Sequence, residues 1–575
     1  MDDKTQKITG AEALWKALAA AGVDTVFGYP GGQVMMVYDK LCGYTDRIRH
    51  ILVRHEQGAI HAAQGYARVS GKPGVVIVTS GPGATNVITG VADAMTDSTP
   101  VVVITGQVAA AVLGTDAFQE ADVIGLTSPI TKWNHQIRQA DDVARSIATA
   151  FYIAGSGRPG PVVLDFTKDA QAGLTEFSYT PCNFIRSYIP APEPDSKAIC
   201  EAAALIDKAE RPLCIFGQGV TISGAEKQLE AFLAKGDIPA GGTLLGLSAL
   251  PSDNPYFTGM VGMHGNIAPN IKTGQCDLLI AVGMRFDDRV TCAVAKYASS
   301  ARVIHIDIDR AEIGKIIRAD VGIAGDAKRV LEALTACISK GSHTEWRDSF
   351  APCRQIEESK VIAPEIKPED GPLRMGEVVD CVAGLTGGDA VIVTDVGQNQ
   401  MMAARYSRFS RPRSFISSGG LGTMGFGIPA SIGAKIAAPD RDVFLFVGDG
   451  GVQMTIQEFG TIMQEGIPVK MIVLDNNWLG NVRQWQQLFF GARYSGTRML
   501  NPDYMMIAKA YGIACRRVDR REELSEAVSW ALHEPSAVLL DVHVIEEGNV
   551  MPMVAPGKGY DEIMISETEI FNGCK

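Results

Sequence analysis

Short runs of apolar, β-branched residues recur along this 575-residue chain, each followed by a glycine-rich turn and a stretch with helical spacing. The runs at 74–78, 101–105 and 161–165 are continuously apolar rather than alternating. Such runs predict parallel strands covered by helices on both faces, because a half-solvated strand alternates with period two. Further runs follow at 213–216, 278–282 and 303–306, then at 390–393, 443–447, 469–474 and 537–542. Near the start, Thr9 with Glu12 three residues later predicts a capping box and an amphipathic helix that stops at Gly22.

Two segments rich in proline and charge, 181–196 and 359–372, interrupt this rhythm. Proline fixes φ and donates no backbone hydrogen bond, so both predict linkers. They divide the chain into three α/β blocks, 1–183, 184–365 and 366–575, each expected to be a doubly wound open parallel sheet. The length agrees, since one hydrophobic core does not grow to this size.

Composition narrows the function. Hydrophobic residues are 46% and charged residues 21%, the balance of a well-buried globular chain. The net charge is −12 and no basic block occurs, which argues against nucleic acid as a partner. No apolar run reaches the roughly 18–20 residues that span a bilayer. Residues 1–10 are polar and lack the apolar core of a secretory signal. Eleven cysteines, none in a Cys-x-x-Cys pair, read as buried thiols of a reducing compartment, so a cytoplasmic protein is expected.

Ligands of open parallel sheets bind at the carboxyl ends of the strands. The richest such end is the run 443–447, followed by Gly448-Asp449-Gly450-Gly451. One β-α-β unit later the run 469–474 ends in Asp475-Asn476-Asn477. Asp449 and Asn476 thus sit on neighbouring loops and offer hard oxygen donors, too few to cage Mg²⁺ alone, so backbone, water and a phosphorylated ligand must complete the sphere. Glycines let the backbone approach that ligand, and the following helix turns N–H groups towards it. In the first block, His55-Glu56-Gln57-Gly58-Ala59 puts an acid where a strand runs into a helix. Ser80-Gly81-Pro82-Gly83 is a tight strand-to-helix turn without the lysine of a Walker loop. Gly283-Met284-Arg285-Phe286-Asp287-Asp288-Arg289 could be a surface ion-pair cluster or a carboxylate site.

Residues 449–477 resemble the thiamine-diphosphate-binding motif, and the chain from about Gly28 to Tyr560 is similar to the catalytic subunits of the acetohydroxyacid (acetolactate) synthase family. The resemblance implies a metal held by Asp449, Asn476 and the main-chain carbonyl of Trp478. It places Gly397, Gln398, Gly448, Gly450 and Gly480 around the diphosphate, and Gly32, Pro82 and Asn86 around the pyrimidine. Met424 matches the bulky residue wedged beneath the cofactor. Glu56 matches the carboxyl group that promotes the reactive tautomer of the aminopyrimidine. Phe118, Gln119 and Lys168 match positions near the substrate entrance. Arg285 takes the acceptor carboxylate, and Trp485 shapes the acceptor pocket. Gly217, Gly219, His264, Gly265, Arg285, Asp307 and Asp326 match the part of the anabolic enzymes that holds a structural FAD.

The implied reaction decarboxylates pyruvate by way of hydroxyethyl-thiamine diphosphate. The two-carbon fragment then joins pyruvate or 2-oxobutanoate, in branched-chain amino acid biosynthesis. The resemblance further implies a homodimer or homotetramer, with Glu56 and the diphosphate site supplied by different subunits, and a separate regulatory small subunit. Three positions depart from the family pattern: Gln33 where alanine is usual, Asn399 for histidine and Asn481 for methionine. They bear on acceptor preference more than on reaction type. The alternative is another thiamine-diphosphate-dependent 2-oxo acid decarboxylase, oxidase or carboligase. The tail from Val550 to Tyr560 resembles the family's closing segment.

Overall fold

A computed structural model describes residues 7–571 and Gly573. Residues 1–6, most of the polar start, lie outside the described residues. Three six-stranded sheets carry the architecture, and every ladder in them is parallel. The first contains β1 (Thr25–Tyr29), β2 (Arg49–Leu52), β3 (Gly74–Val78), β4 (Val101–Gln107), β5 (Trp133–Ile137) and β6 (Pro161–Thr167) in the order β2-β1-β3-β4-β6-β5. The second contains β7 (Pro212–Phe216), β8 (Ala240–Gly242), β9 (Phe257–Met260), β10 (Leu278–Val282), β11 (Arg302–Asp307) and β12 (Val321–Ala324), ordered β9-β8-β7-β10-β11-β12. The third contains β13 (Val391–Thr394), β14 (Phe415–Ile416), β15 (Val443–Gly448), β16 (Lys470–Asp475), β17 (Ala514–Val518) and β18 (Val538–His543), ordered β14-β13-β15-β16-β18-β17. This is the expected α/β class.

Each sheet has an apolar cluster on both faces, which is why its central strands are predominantly apolar. All ten strands expected from apolar runs form, within two residues at each end. Edge strands escaped the pattern: Trp133–Ile137 and Ala514–Val518 are mostly half-buried, so their residues need not be apolar. The first helix, Gly10–Ala20, starts at the expected residue, with the Glu12 amide donating to Thr9 Oγ1 at 3.2 Å, one of the two bonds of the expected capping box.

Two expectations need correction. The stretch 181–195 has neither helix nor strand, but 359–366 is helical. A turn of π-helix at Glu358–Ile362 runs into Ala363–Ile366, and Pro364 sits in that segment's first turn, where a missing N–H costs little. The cysteines are not uniformly buried thiols either: Cys42, Cys200 and Cys337 are exposed, and Cys353 is disulfide-bonded.

The first and third sheets are joined through two helices, Glu56–Ser70 and Gly427–Ala437. A Cβ on Gly65 would stand 2.0 Å from the Ala430 carbonyl oxygen, and one on Gly433 would stand 1.8 Å from that of Ala62. Only glycine permits this approach. Beside the helix pair, Arg68 Nη2 meets Asp97 Oδ2 at 2.7 Å, both side chains nearly inaccessible. Asp97 also accepts from the amides of Gly419 (2.9 Å) and Gly420 (2.7 Å) across the junction. No helix among the described residues is long and apolar enough to cross a membrane.

Candidate active site

In the third sheet β15 and β16 are adjacent and in register, with Gly448 opposite Leu474, so the loops leaving them emerge side by side. Asp449 opens the helix Asp449–Met454 and is buried. Its Oδ1 accepts from the Gly450 amide (2.9 Å) and its Oδ2 from Asn501 Nδ2 (2.8 Å). The same Asn501 nitrogen donates to Asp475 Oδ1 at 2.8 Å. Burial, aided by the nearby Asp475, pushes the Asp449 carboxyl up to about 7. Among the described residues its hydrogen-bond donors are amides rather than cations. A divalent ion there would favour the ionised form and find the hard oxygens Mg²⁺ prefers.

Asn476 Oδ1 accepts from the Trp478 amide (3.2 Å), while its Nδ2 donates to Gln398 Oε1 (3.3 Å). A Cβ at Gly480 would stand 2.1 Å from that oxygen, so Gly480 and Gln398 share one wall. Gly397, at φ 143°, leads into the helix Gln398–Tyr406. A Cβ at Gly397 or Gly448 would lie 3.2 or 3.3 Å from Asn399 Nδ2. Bare backbone, an amide donor and a helix N-terminus therefore converge between β13 and β15, a suitable cradle for an anion. Asn399 Oδ1 is buried without a partner. Met424 reaches the same place, its Cε 3.6 Å from a Cβ built on Gly450. The turn after Met424 is pinned by the buried Asp395, which accepts from the Gly425 (3.1 Å) and Gly427 (2.8 Å) amides.

The first sheet presents its own strand ends. Glu56 is the first residue of its helix and largely buried, and its Oε2 accepts from Asn86 Nδ2 at 2.9 Å. Gly83 packs against its other oxygen, with a Cβ there 3.4 Å from Oε1. Pro82 begins the helix Pro82–Asn86 and is exposed. A Cβ at Gly81 would lie 2.9 Å from the Gln119 carbonyl oxygen, which puts Gln119 behind this turn. Gly32 faces open space, and its neighbour Gln33 is anchored by its amide to Thr79 Oγ1 (3.3 Å) and by its carbonyl to Gln171 Nε2 (2.7 Å). Lys168 is exposed at the end of β6, and Phe118 is 83% exposed.

The second sheet's strand ends open into a cavity of about 850 Å³ between all three blocks. Gly217, Gly219, His264, Arg285, Asp307 and Asp326 line it, as do Asn481 and Trp485 from the third block. Gly265 does not. It lies behind the wall, where a Cβ would stand 2.6 Å from the Met260 carbonyl oxygen. Burial pushes His264 down to about 4 and Asp307 up to about 6, so the wall disfavours charge on both. Within one chain, Glu56, Phe118, Gln119 and Lys168 do not line this cavity. Sequence reasoning missed Asn501, whose surroundings carry no repeat or motif, Asp395, which directly precedes the Gly397 turn, and the Arg68–Asp97 pair, which joins one helix to the turn that ends another.

Three family models match the chain. They describe a thiamine pyrophosphate enzyme N-terminal TPP binding domain over residues 8–126, a central domain over 199–334 and a C-terminal TPP binding domain over 395–542. The chain is 45% identical over 570 residues to the acetolactate synthase of Mycobacterium bovis, covering 97% of this chain and 91% of that protein. It is 44% identical over 560 residues to the acetolactate synthase isozyme 2 large subunit of Escherichia coli, covering 97% and 99%. It is 42% identical over 565 residues to the acetolactate synthase large subunit of Lactococcus lactis, covering 98% and 97%.

Proposed function

Because this chain belongs to the acetolactate synthase large-subunit family of thiamine pyrophosphate enzymes, we propose that it decarboxylates pyruvate and joins the two-carbon fragment to pyruvate or 2-oxobutanoate. The observation that carries this reading is the buried pair of loops at Asp449 and Asn476, facing the glycine backbone at Gly397 and Gly448. Asp449, Asn476 and the Trp478 carbonyl hold Mg²⁺; Gly397, Gln398, Gly448, Gly450 and Gly480 receive the diphosphate. When bound, thiamine diphosphate supplies a nucleophilic carbon and an electron sink for decarboxylation. Glu56 holds a proton against N1′ of the aminopyrimidine, in a pocket walled by Pro82 and Asn86. Its position away from bulk water keeps that hydrogen bond strong. Met424 supports the ring system from below.

Arg285 orients the acceptor carboxylate and Trp485 bounds the acceptor's alkyl group. Phe118, Gln119 and Lys168 stand at the entrance. The cavity beside Gly217, Gly219, His264, Asp307 and Asp326 holds FAD, with Gly265 shaping its wall from behind. Two copies of the chain complete each site, one giving Glu56 and the other Asp449. Exposed apolar side chains directly beside the site loops support this: Met35 near Gln33, Phe118 next to Gln119 and Leu500 next to Asn501. A regulatory small subunit and a cytosolic location complete the proposal.

The deciding measurement is pyruvate turnover with and without thiamine diphosphate, Mg²⁺ and FAD, scored for 2-acetolactate. Acetaldehyde or acetyl phosphate in its place would reject the synthase reading in favour of a decarboxylase or oxidase. Adding 2-oxobutanoate in competition then measures the acceptor preference set by Trp485 and Asn481.

A further inference from the structure

Glu458 belongs to the third block, in the turn Ile456–Glu458 that follows the helix starting at Asp449, and it is fully buried. Its carboxylate does not face its own sheet. It accepts from the Arg54 amide, 3.2 Å to each oxygen, and from the His55 amide, at the very start of the helix Glu56–Ser70 in the first block. Thr461 Oγ1 steadies it from behind at 2.6 Å. Arg54 returns the grip, donating through Nη2 to the Gly460 carbonyl (3.2 Å) and Gln464 Oε1 (2.7 Å). The fit leaves no slack, since a Cβ on Gly58 would stand 2.4 Å from Glu458 Oε1. An anion at a helix N-terminus is favourable, and here it satisfies backbone donors that a buried helix start would otherwise leave unpaired.

We propose that Glu458 is a positioning residue for catalysis: by clamping the Arg54–His55 turn it fixes the direction in which Glu56 presents its carboxyl group. The clamp explains the glycine of the His-Glu-Gln-Gly-Ala run as space reserved for a carboxylate from another block. It also ties the turn carrying Glu56 to the segment that directly follows Asp449 in the same chain. This inference rests on the reading of Glu56 as the activating acid.

The test uses the assembled holoenzyme with Mg²⁺ and thiamine diphosphate and follows deuterium exchange at C2 of the bound cofactor by quenching and proton NMR. Glu458→Gln is expected to slow exchange about 10- to 100-fold, the usual cost of an acid displaced by about 1 Å, while cofactor affinity, read by quenching of intrinsic fluorescence, is preserved. A purely structural role would instead lower affinity and melting temperature and leave exchange in the bound fraction unchanged; that result overturns the proposal. Gly58→Ala should reproduce the slow exchange by pushing the carboxylate aside, and it carries the test if Glu458→Gln fails to fold. Glu56→Gln is the control. Wild-type exchange there refutes the role of Glu56 and the clamp with it, whereas slow exchange in Glu56→Gln beside wild-type exchange in Glu458→Gln and Gly58→Ala refutes the clamp alone.

Discussion

The first and third sheets have the same strand order, counted within each sheet as 2-1-3-4-6-5, yet their corresponding edges carry different groups. In the third, the loops after β13, β15 and β16 bring bare glycine backbone, a buried aspartate and an asparagine to one place. In the first, the loops after β1, β2 and β3 bring a single buried acid, Glu56, held by Asn86 and walled by Gly83. Topology thus decides where loops meet, and side chains decide what they do there. The second sheet, ordered 3-2-1-4-5-6, puts its loops against a wide cavity instead.

Four substitutions probe this division of labour. Glu56→Gln removes the first sheet's acid and should reduce turnover about 10²- to 10⁴-fold, the range for a lost acid–base group. Cofactor titration should stay normal, and undiminished turnover would contradict the assignment. Arg68→Met strikes the joint between the two sheets. It leaves Asp97 buried without its counter-charge, which costs about 3–5 kcal/mol, read as a lowered denaturant midpoint. A midpoint within error of wild type would show that the joint bears no energy.

Asp449→Ala removes the third sheet's oxygen donor. The Mg²⁺-dependent affinity for thiamine diphosphate should fall on the order of 100-fold, since even outer partners of a metal ligand are worth ~10–100-fold. Unaltered affinity would leave the two edges chemically alike. The smallest effect concerns the second sheet. Asp307 is raised to about 6 from 3.8, chiefly by burial, so its charged form is disfavoured in the folded chain. Folded protein binds more protons than unfolded between those values, and stability contributed by this group falls as pH rises through that window. Asp307→Asn should therefore raise the melting temperature of flavin-free protein above pH 6, with the gain vanishing below about pH 3.8. A gain independent of pH would point to packing rather than charge.

Much of this was legible in the chain. Most central strands announced themselves because burial on both faces demands continuous apolar runs, as at Gly74–Val78 and Leu278–Val282, but the central strands Thr25–Tyr29 and Ala240–Gly242, broken by glycine and polar residues, did not. Edge strands such as Trp133–Ile137 did not, because one flank meets no neighbouring strand and its residues remain half-exposed. The strand ends that carry Asp449 and Asn476 were legible from the apolar runs before them, whereas Glu56 alone reads as an ordinary acid at a helix start and stood out only through the family resemblance. Asn501 was not: it reaches Asp449 across 52 residues from an irregular loop, and no local pattern marks it. The helical course of 359–366 was hidden by Pro364, which the first turn of Ala363–Ile366 accommodates.

By itself the sequence determined the alternation of strand and helix, the presence of three parallel-sheet units and the placement of Asp449 and Asn476 just after neighbouring strands. All of these depend on neighbours a few residues apart, where hydrophobic period and loop chemistry act directly. Only the tertiary structure decided which carboxylates face which loops: Asp97 on Gly419 and Gly420, Asp395 on Gly425 and Gly427, Glu458 on Arg54. Those pairings span up to 404 residues and form because a buried charge must find donors wherever packing brings them. No periodicity along the chain records that requirement.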